Sequence, residues 1–206
     1  VPANFSVGDE NTLWPLRAGN VWVYEVEGTL GERDFQYEAR MTVSQSQQTG
    51  GVTQATVETY RRERGEDELQ AKNEYRVDGD GISQLSQSGK AFSPAKPIVN
   101  FPYRGGQTVD LALTGPVGRS DVVTAQKMTV LTRGLEIADA LGHRWESIAI
   151  ESTIEYEDGG DKLTATSVGY WAPRVGLVRL VNETRAEGRL LSREVWSLKR
   201  QTITNP

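Results

Sequence analysis

The chain has 206 residues, 37% hydrophobic and 25% charged, with a net charge of -5, one histidine and no cysteine. That charge argues against a nucleic-acid partner, which needs a basic face to displace counterions. Without cysteine there is no disulfide, no thiolate nucleophile and no Cys-based zinc site.

The length suits one large β domain or two small ones. A hydrophobic fraction slightly lean for a globular domain suits sheets with one buried and one wet face. No run approaches the ~18 apolar residues of a membrane helix. The chain begins at Val1 without a Met, as a processed product or a trimmed boundary would. Residues 1–13 are polar and aperiodic, and read as a flexible N-terminal arm.

A corner follows, Trp14-Pro15-Leu16-Arg17-Ala18-Gly19-Asn20, in which Pro fixes the approach and Gly permits the bend. It launches a strand in which Trp22, Tyr24 and Val26 alternate with Val23, Glu25 and Glu27. After a turn at Gly28–Gly31 comes the clearest period-two pattern of the chain. Phe35, Tyr37, Ala39, Met41 and Val43 share one face, and Asp34, Gln36, Glu38, Arg40 and Thr42 the other.

Strands at 52–61 and 68–77 come next, joined by an Arg64-Gly65-Glu66-Asp67 tip. Arg61, Arg62 and Arg64 lie among Glu63, Glu66, Asp67 and Glu68, which makes them a solvated, self-neutralised hairpin end. Asp78-Gly79-Asp80-Gly81 is a primed hairpin turn leading into 82–87. Residues 89–100 carry Pro94 and Pro97 and read as an irregular Pro-rich crossover, poor in ladder donors.

Phe101 to Val109 then echoes the first corner: aromatic, Pro, apolar, Arg, small, Gly. Strands follow at 109–113, at 121–137 with a bulge near Gly134, and at 145–156. Residues 138–142 make a turn, and strands at 163–171, 177–184 and 190–199 finish the chain. The expected fold is all-β, a curved antiparallel meander forming a half-barrel or partly open barrel with little or no helix. It comprises one β domain, 14–200, with a C-terminal tail at 201–206. The two corners suggest related half-sheets at 14–88 and 101–200.

The Trp14–Tyr24 corner, together with Gly169-Tyr170-Trp171-Ala172-Pro173-Arg174-Val175-Gly176-Leu177-Val178, resembles a group of secreted bacterial lipoprotein-like β domains of unknown function. The stretch Glu136–Glu146 lacks the Pro-Ala-Gly turn usual in that group. The resemblance implies an extracytoplasmic scaffold, periplasmic, outer-membrane-anchored or secreted, with room for a lipid anchor upstream of Val1. It implies no reaction.

The residues themselves supply no catalytic set and no cofactor or metal site. A lone His143 beside a Gly turn reads as a surface residue, and no nucleophile-elbow sequence surrounds any Ser. The pairs Glu25/Glu27 and Glu155/Glu157 lie opposite apolar faces and read as solvated exterior rather than paired acids. Asp78, Asp80, Asp158 and Asp161 fit turn chemistry better than an incomplete calcium loop. Asn4-Phe5-Ser6 and Asn182-Glu183-Thr184 match the glycosylation pattern at about chance frequency.

Most aromatics fall in phase with strand faces. Trp14, before a Pro, and Tyr170, out of phase with Trp171, are the ligand or partner candidates, both placed at a rim. Three roles follow. The first is a non-enzymatic binding or structural module of the cell envelope. The second is a carrier of a lipid or other apolar ligand, in a cavity lined by Phe35, Tyr37, Met41, Ile148, Ile150 and Tyr156. The third is a subunit of an extracellular assembly, in which the N-terminal arm adds a strand to the next copy.

Overall fold

The computed structural model describes residues 13–101, 106–117 and 120–204. The N-terminal arm before Leu13, the Asn4 sequon and residues 102–105 of the second corner lie outside the described residues. The described strands are β1 (Val21–Leu30), β2 (Arg33–Thr49), β3 (Val52–Glu63), β4 (Glu66–Asp78), β5 (Gly81–Gln87) and β6 (Lys90–Asn100). They continue as β7 (Thr108–Val117), β8 (Ser120–Ala138), β9 (Arg144–Asp158), β10 (Asp161–Ala172), β11 (Gly176–Ala186) and β12 (Arg189–Thr202).

Each strand pairs antiparallel with the next, and β1 pairs with β12 to close a barrel. The curved meander expected from the alternation is therefore present, with no helix among the described residues. Closure runs from Val21 opposite Thr202 to Leu30 opposite Ser192, with one bulge after Val23. Gly28 belongs to this junction. A Cβ there would collide with the Arg193 carbonyl and lie 2.6 Å from the Phe35 ring.

One expectation is corrected. The Pro-rich stretch read as a crossover is strand β6, laddered to β5 through pairs such as Val99 with Ile82 and Lys90 with Gln87. Its prolines are tolerated because the other edge is almost free. Between β6 and β7 the described pairing is Ser93 opposite Thr114 alone. The ring thus has one thin seam.

The period-two alternation sorts side chains to the two faces of this wall. Trp22, Tyr24 and Val26 of β1, Ala39, Met41 and Val43 of β2, and Val57 of β3 point inward and are buried. The outer face carries charge. Glu38 gathers Lys199 at 3.3 Å, Arg200 at 3.7 Å and Arg62 at 3.8 Å, and Arg40 meets Asp67 at 2.9 Å. Such exposed pairs are worth at most about 1 kcal/mol each, so they keep the wall wet more than they hold it together. An apolar inside and a charged outside is the inverse of a membrane-spanning barrel, whose outer band is apolar.

Ring size then sets an interior problem. An eight-strand barrel is just filled by its own side chains, whereas sixteen strands leave a channel. Twelve strands fall between, so the lumen needs extra filling at one end. The Leu13–Asn20 corner provides it.

Leu13, Trp14 and Leu16 are buried inside the ring. Trp14 meets Tyr75, Trp171 and Trp22 edge-on at centroid distances of 4.9, 5.2 and 6.2 Å. Gly19 takes φ +88°, the bend that lets the corner fold back under β1. Its amide donates to the Val43 carbonyl at 2.9 Å, and the Ser46 hydroxyl donates to the Leu16 carbonyl at 2.6 Å. At the same end the Trp22 indole donates to the Val175 carbonyl at 2.6 Å. The Tyr24 hydroxyl donates to the Leu177 carbonyl at 2.9 Å, so that β1 is pinned to the β10–β11 connection and to the start of β11.

Candidate functional site

Above the Trp14 floor the lumen is not filled. A cavity of about 270 Å³ remains, and its lining climbs β10 from Trp171 through Gly169 and Ser167 to Ala165. Inward side chains at this level shrink to Gly, Ala and Ser where a packed core would place Leu or Phe. Gly169 is required there, because a Cβ would stand 2.7 Å from the Trp171 indole nitrogen.

The flanking strands supply Ile150 from β9 and Leu177 from β11, and the rest of the ring supplies Met41 from β2, Tyr75 from β4 and Trp196 from β12. Two larger depressions, of about 420 and 510 Å³, are edged by exposed side chains such as Gln45 and Gln54, or Glu27 and Asp34. The lumen cavity differs from both in drawing its lining from seven or more strands around the ring and in holding three tryptophans.

Polar groups interrupt its apolar lining. Asn73, Ser152, Ser167 and Asn182 reach it, and Lys96 from β6 is the one charged side chain in it. The Trp196 indole nitrogen and the Asn73 side-chain oxygen are buried without a hydrogen-bond partner. Buried polar atoms are nearly always bonded, so these two are unusual. Lys96 has no carboxylate within salt-bridge reach among the described residues. Its ammonium lies 5.6 Å from the centre of the Phe92 ring. Burial pushes its pKa below the usual lysine range.

The sequence candidates separate. Trp14 is not at a rim: it is 4% exposed and forms the cavity floor. Tyr170 points to the outside of β10, half-buried, paired across the ladder with Ala149 and Arg179. They share no site. Of the side chains expected to line an apolar cavity, Met41 and Ile150 do so. Ile148 is packed away in the core, and Phe35 stacks on Tyr37 5.9 Å away. The Tyr37 hydroxyl is held by Glu194, and Arg61 lies over its ring. Lys96, the most telling residue, is not among the sequence candidates, because β6 reads as irregular.

Other expected positions are turn and surface chemistry. Asp78 accepts the Asp80 amide at 3.0 Å within its hairpin. Glu27, Glu155 and Glu157 are exposed. No three His, Asp or Glu side chains gather into a metal set among the described residues.

His143 stands 67% exposed beside Asp139, which is 5% exposed. Asp139 caps the β8–β9 connection, accepting the Leu141 and His143 amides at 2.9 Å each. It also accepts the Trp145 indole N–H at 3.0 Å. Burial pushes its carboxyl up, but the bonds from Trp145, Leu141 and His143 outweigh that and hold it below the ordinary aspartate value.

Asp139→Asn leaves the Trp145 and His143 side chains without a carboxylate partner, and is expected to cost about 1–3 kcal/mol at neutral pH. A depressed folded pKa contributes stability above the ordinary carboxyl range and loses it as pH falls through the folded value. The gap between native protein and variant should therefore narrow in acid. Urea midpoints measured at neutral and acidic pH check this, and a gap constant with pH contradicts it.

Two solved structures share this architecture. One is a protein provisionally described as exported, with a YMCC-like fold, from Bacteroides fragilis. It superposes with a TM-score of 0.58 at 10% identity, over 92% of this chain and 98% of that one. The other is provisionally described as a lipoprotein, from Parabacteroides distasonis. Its TM-score is 0.51 at 14% identity, over 91% and 98% of the two chains. The likeness is one of fold. No family model and no curated protein matches the sequence.

Proposed function

We propose that this chain is a non-enzymatic, extracytoplasmic binding module that holds a small amphipathic ligand in the lumen of its barrel. The observation that carries the reading is the cavity itself, about 270 Å³ between Trp14 and Ala165, lined by Met41, Ile150, Trp171 and Trp196 with a few polar groups among them. That mixture is the usual make-up of a small-molecule site. At ~30 Å³ per water-sized group, the volume holds about nine non-hydrogen atoms. This favours a short acyl chain or a single ring over a two-chain lipid.

Location follows from the resemblance of the Trp14 and Trp171 motifs to secreted domains. The descriptions of the two structural neighbours support it. A strand-adding assembly is less favoured, because β1 and β12 cover each other's edges and only the β6–β7 seam is thinly paired.

Ala165→Phe tests the site by filling the cavity from a position that is already half-exposed. The native protein should shift its tryptophan fluorescence when titrated with octan-1-ol, since three tryptophans line the cavity. The variant should keep its circular dichroism and bind at least about tenfold more weakly. Equal binding by a folded Ala165→Phe variant would place the ligand elsewhere.

A further inference from the structure

The lumen has a sign. Lys96 is the one charged side chain lining it, and no carboxylate there answers that charge. Lys96 is half-buried, and a lysine drawn into a lining of this kind is usually paired. The Phe92 ring supplies only a partial partner, since a cation-π contact at this distance is weaker than a charge-assisted hydrogen bond.

The structure offers a commonplace alternative, in which the lysine stem covers apolar wall and its head reaches the open end. Two features argue for more than that. Trp196 lines the same cavity, and its buried indole nitrogen is a donor with no partner. Further, the hydroxyls of Ser152 and Ser167 line it with no acid beside them. The ammonium is the only full charge in the lining, and against these donors the unbonded acceptor is the neutral Asn73 oxygen, which does not answer that charge. That pattern fits a ligand with one anionic, acceptor-only end.

We infer that the lumen ligand is a small amphiphilic acid, its carboxylate held by Lys96 and its apolar body seated on Trp14, Trp171 and Ile150. The inference rests on the lumen being the binding site, and the volume limits the body to about nine non-hydrogen atoms. A phosphate or sulfate monoester of similar size offers the same acceptors. The recognised chemistry is a single anionic head on a short apolar chain.

Calorimetric titration of the native protein with octanoate, octan-1-ol and octylammonium separates head from body. Octanoate should bind at least about tenfold tighter than the alcohol, and octylammonium weakest of the three. Lys96→Gln should remove the preference, weakening octanoate about tenfold while octan-1-ol stays within about twofold. Lys96→Arg should keep it. Octyl sulfate reports whether the head must be a carboxylate or only an anion, and tight binding of either anion supports the inference.

Equal affinity of native protein for octan-1-ol and for both anions, octanoate and octyl sulfate, overturns the role of Lys96 and leaves the lumen site standing. So does an octanoate preference that survives Lys96→Gln. Failure of all the probes to bind overturns the lumen reading as well. The native-protein comparison decides even where a variant does not fold.

Discussion

Trp14→Ala is expected to destabilise the barrel by about 3–5 kcal/mol, the range for deleting a buried tryptophan from a packed core. Trp14 is 4% exposed and touches Trp22, Tyr75 and Trp171, three rings from three different strands. Gly176 is shaped to it: a Cβ there would sit 2.6 Å from the indole. Removing the indole merges its own volume with the cavity above, and a rigid ring of strands has little freedom to collapse into the gap. For a chain of this size the loss corresponds to a fall in melting temperature of roughly 6–20 °C. Trp14→Phe should cost less, since a ring still covers Trp171. Urea denaturation read by circular dichroism measures both. A loss under about 1 kcal/mol for the alanine variant would mean that the floor is not part of the core. The variant should also accept a longer acyl chain, because the lumen floor has dropped.

Much of this architecture is legible in the residues. The alternation of Phe35 to Val43 against Asp34 to Thr42 gives β2, and Asp78–Gly81 gives the hairpin that joins β4 to β5. Both are local signals, carried by period and by turn chemistry. Closure is not local. The pairing of Trp22 with Gln201, or Val26 with Trp196, joins strands some 170 residues apart, and alternation alone does not say which edges meet. β6 hides for a different reason. Pro94 and Pro97 argue against a central strand, and in the fold the strand is nearly edge-like, laddered on one side.

Lys96 hides behind β6. Bulges against Ile82–Ser83 and Gln84–Ser86 break the phase, so that Lys96, Pro97 and Ile98 all reach the cavity although neighbours on a regular strand face opposite ways. A period-two reading cannot place them. Trp14 shows the converse limit. Its position before a Pro suggests a rim, and its burial follows from a ring too wide for its own side chains, which appears only once twelve strands are counted. The candidate site is thus a property of ring size and bulge placement, two things composition does not report.

Asn20→Ala should cost about 1–3 kcal/mol, because the side chain makes three hydrogen bonds that tie the corner to the stretch after β12. Asn20 is completely buried. Its amide nitrogen donates to the Pro15 carbonyl at 2.5 Å, and its oxygen accepts the Thr204 backbone N–H at 2.9 Å and hydroxyl at 2.6 Å. Its own carbonyl accepts the Val43 amide at 2.9 Å, and its own amide donates to Arg17 at 3.0 Å. One residue therefore ties the corner, β2 at Val43 and the stretch after β12 together, through main-chain and side-chain bonds in combination. Alanine keeps the two main-chain bonds and loses the three made by the side chain; the Pro15 oxygen retains the Arg17 amide at 3.0 Å and Thr204 is exposed, so the cost is that of the lost bonds rather than of buried groups left unpaired. Thr204→Val removes the hydroxyl alone and should cost about 1 kcal/mol. Since both changes strike one network, the double variant should lose less than the sum of the single losses, by more than about 0.5 kcal/mol. Strict additivity in a denaturation cycle would mean that Thr204 and Asn20 act independently, and that the floor is held by the packing of Trp14 and Leu16 without this latch.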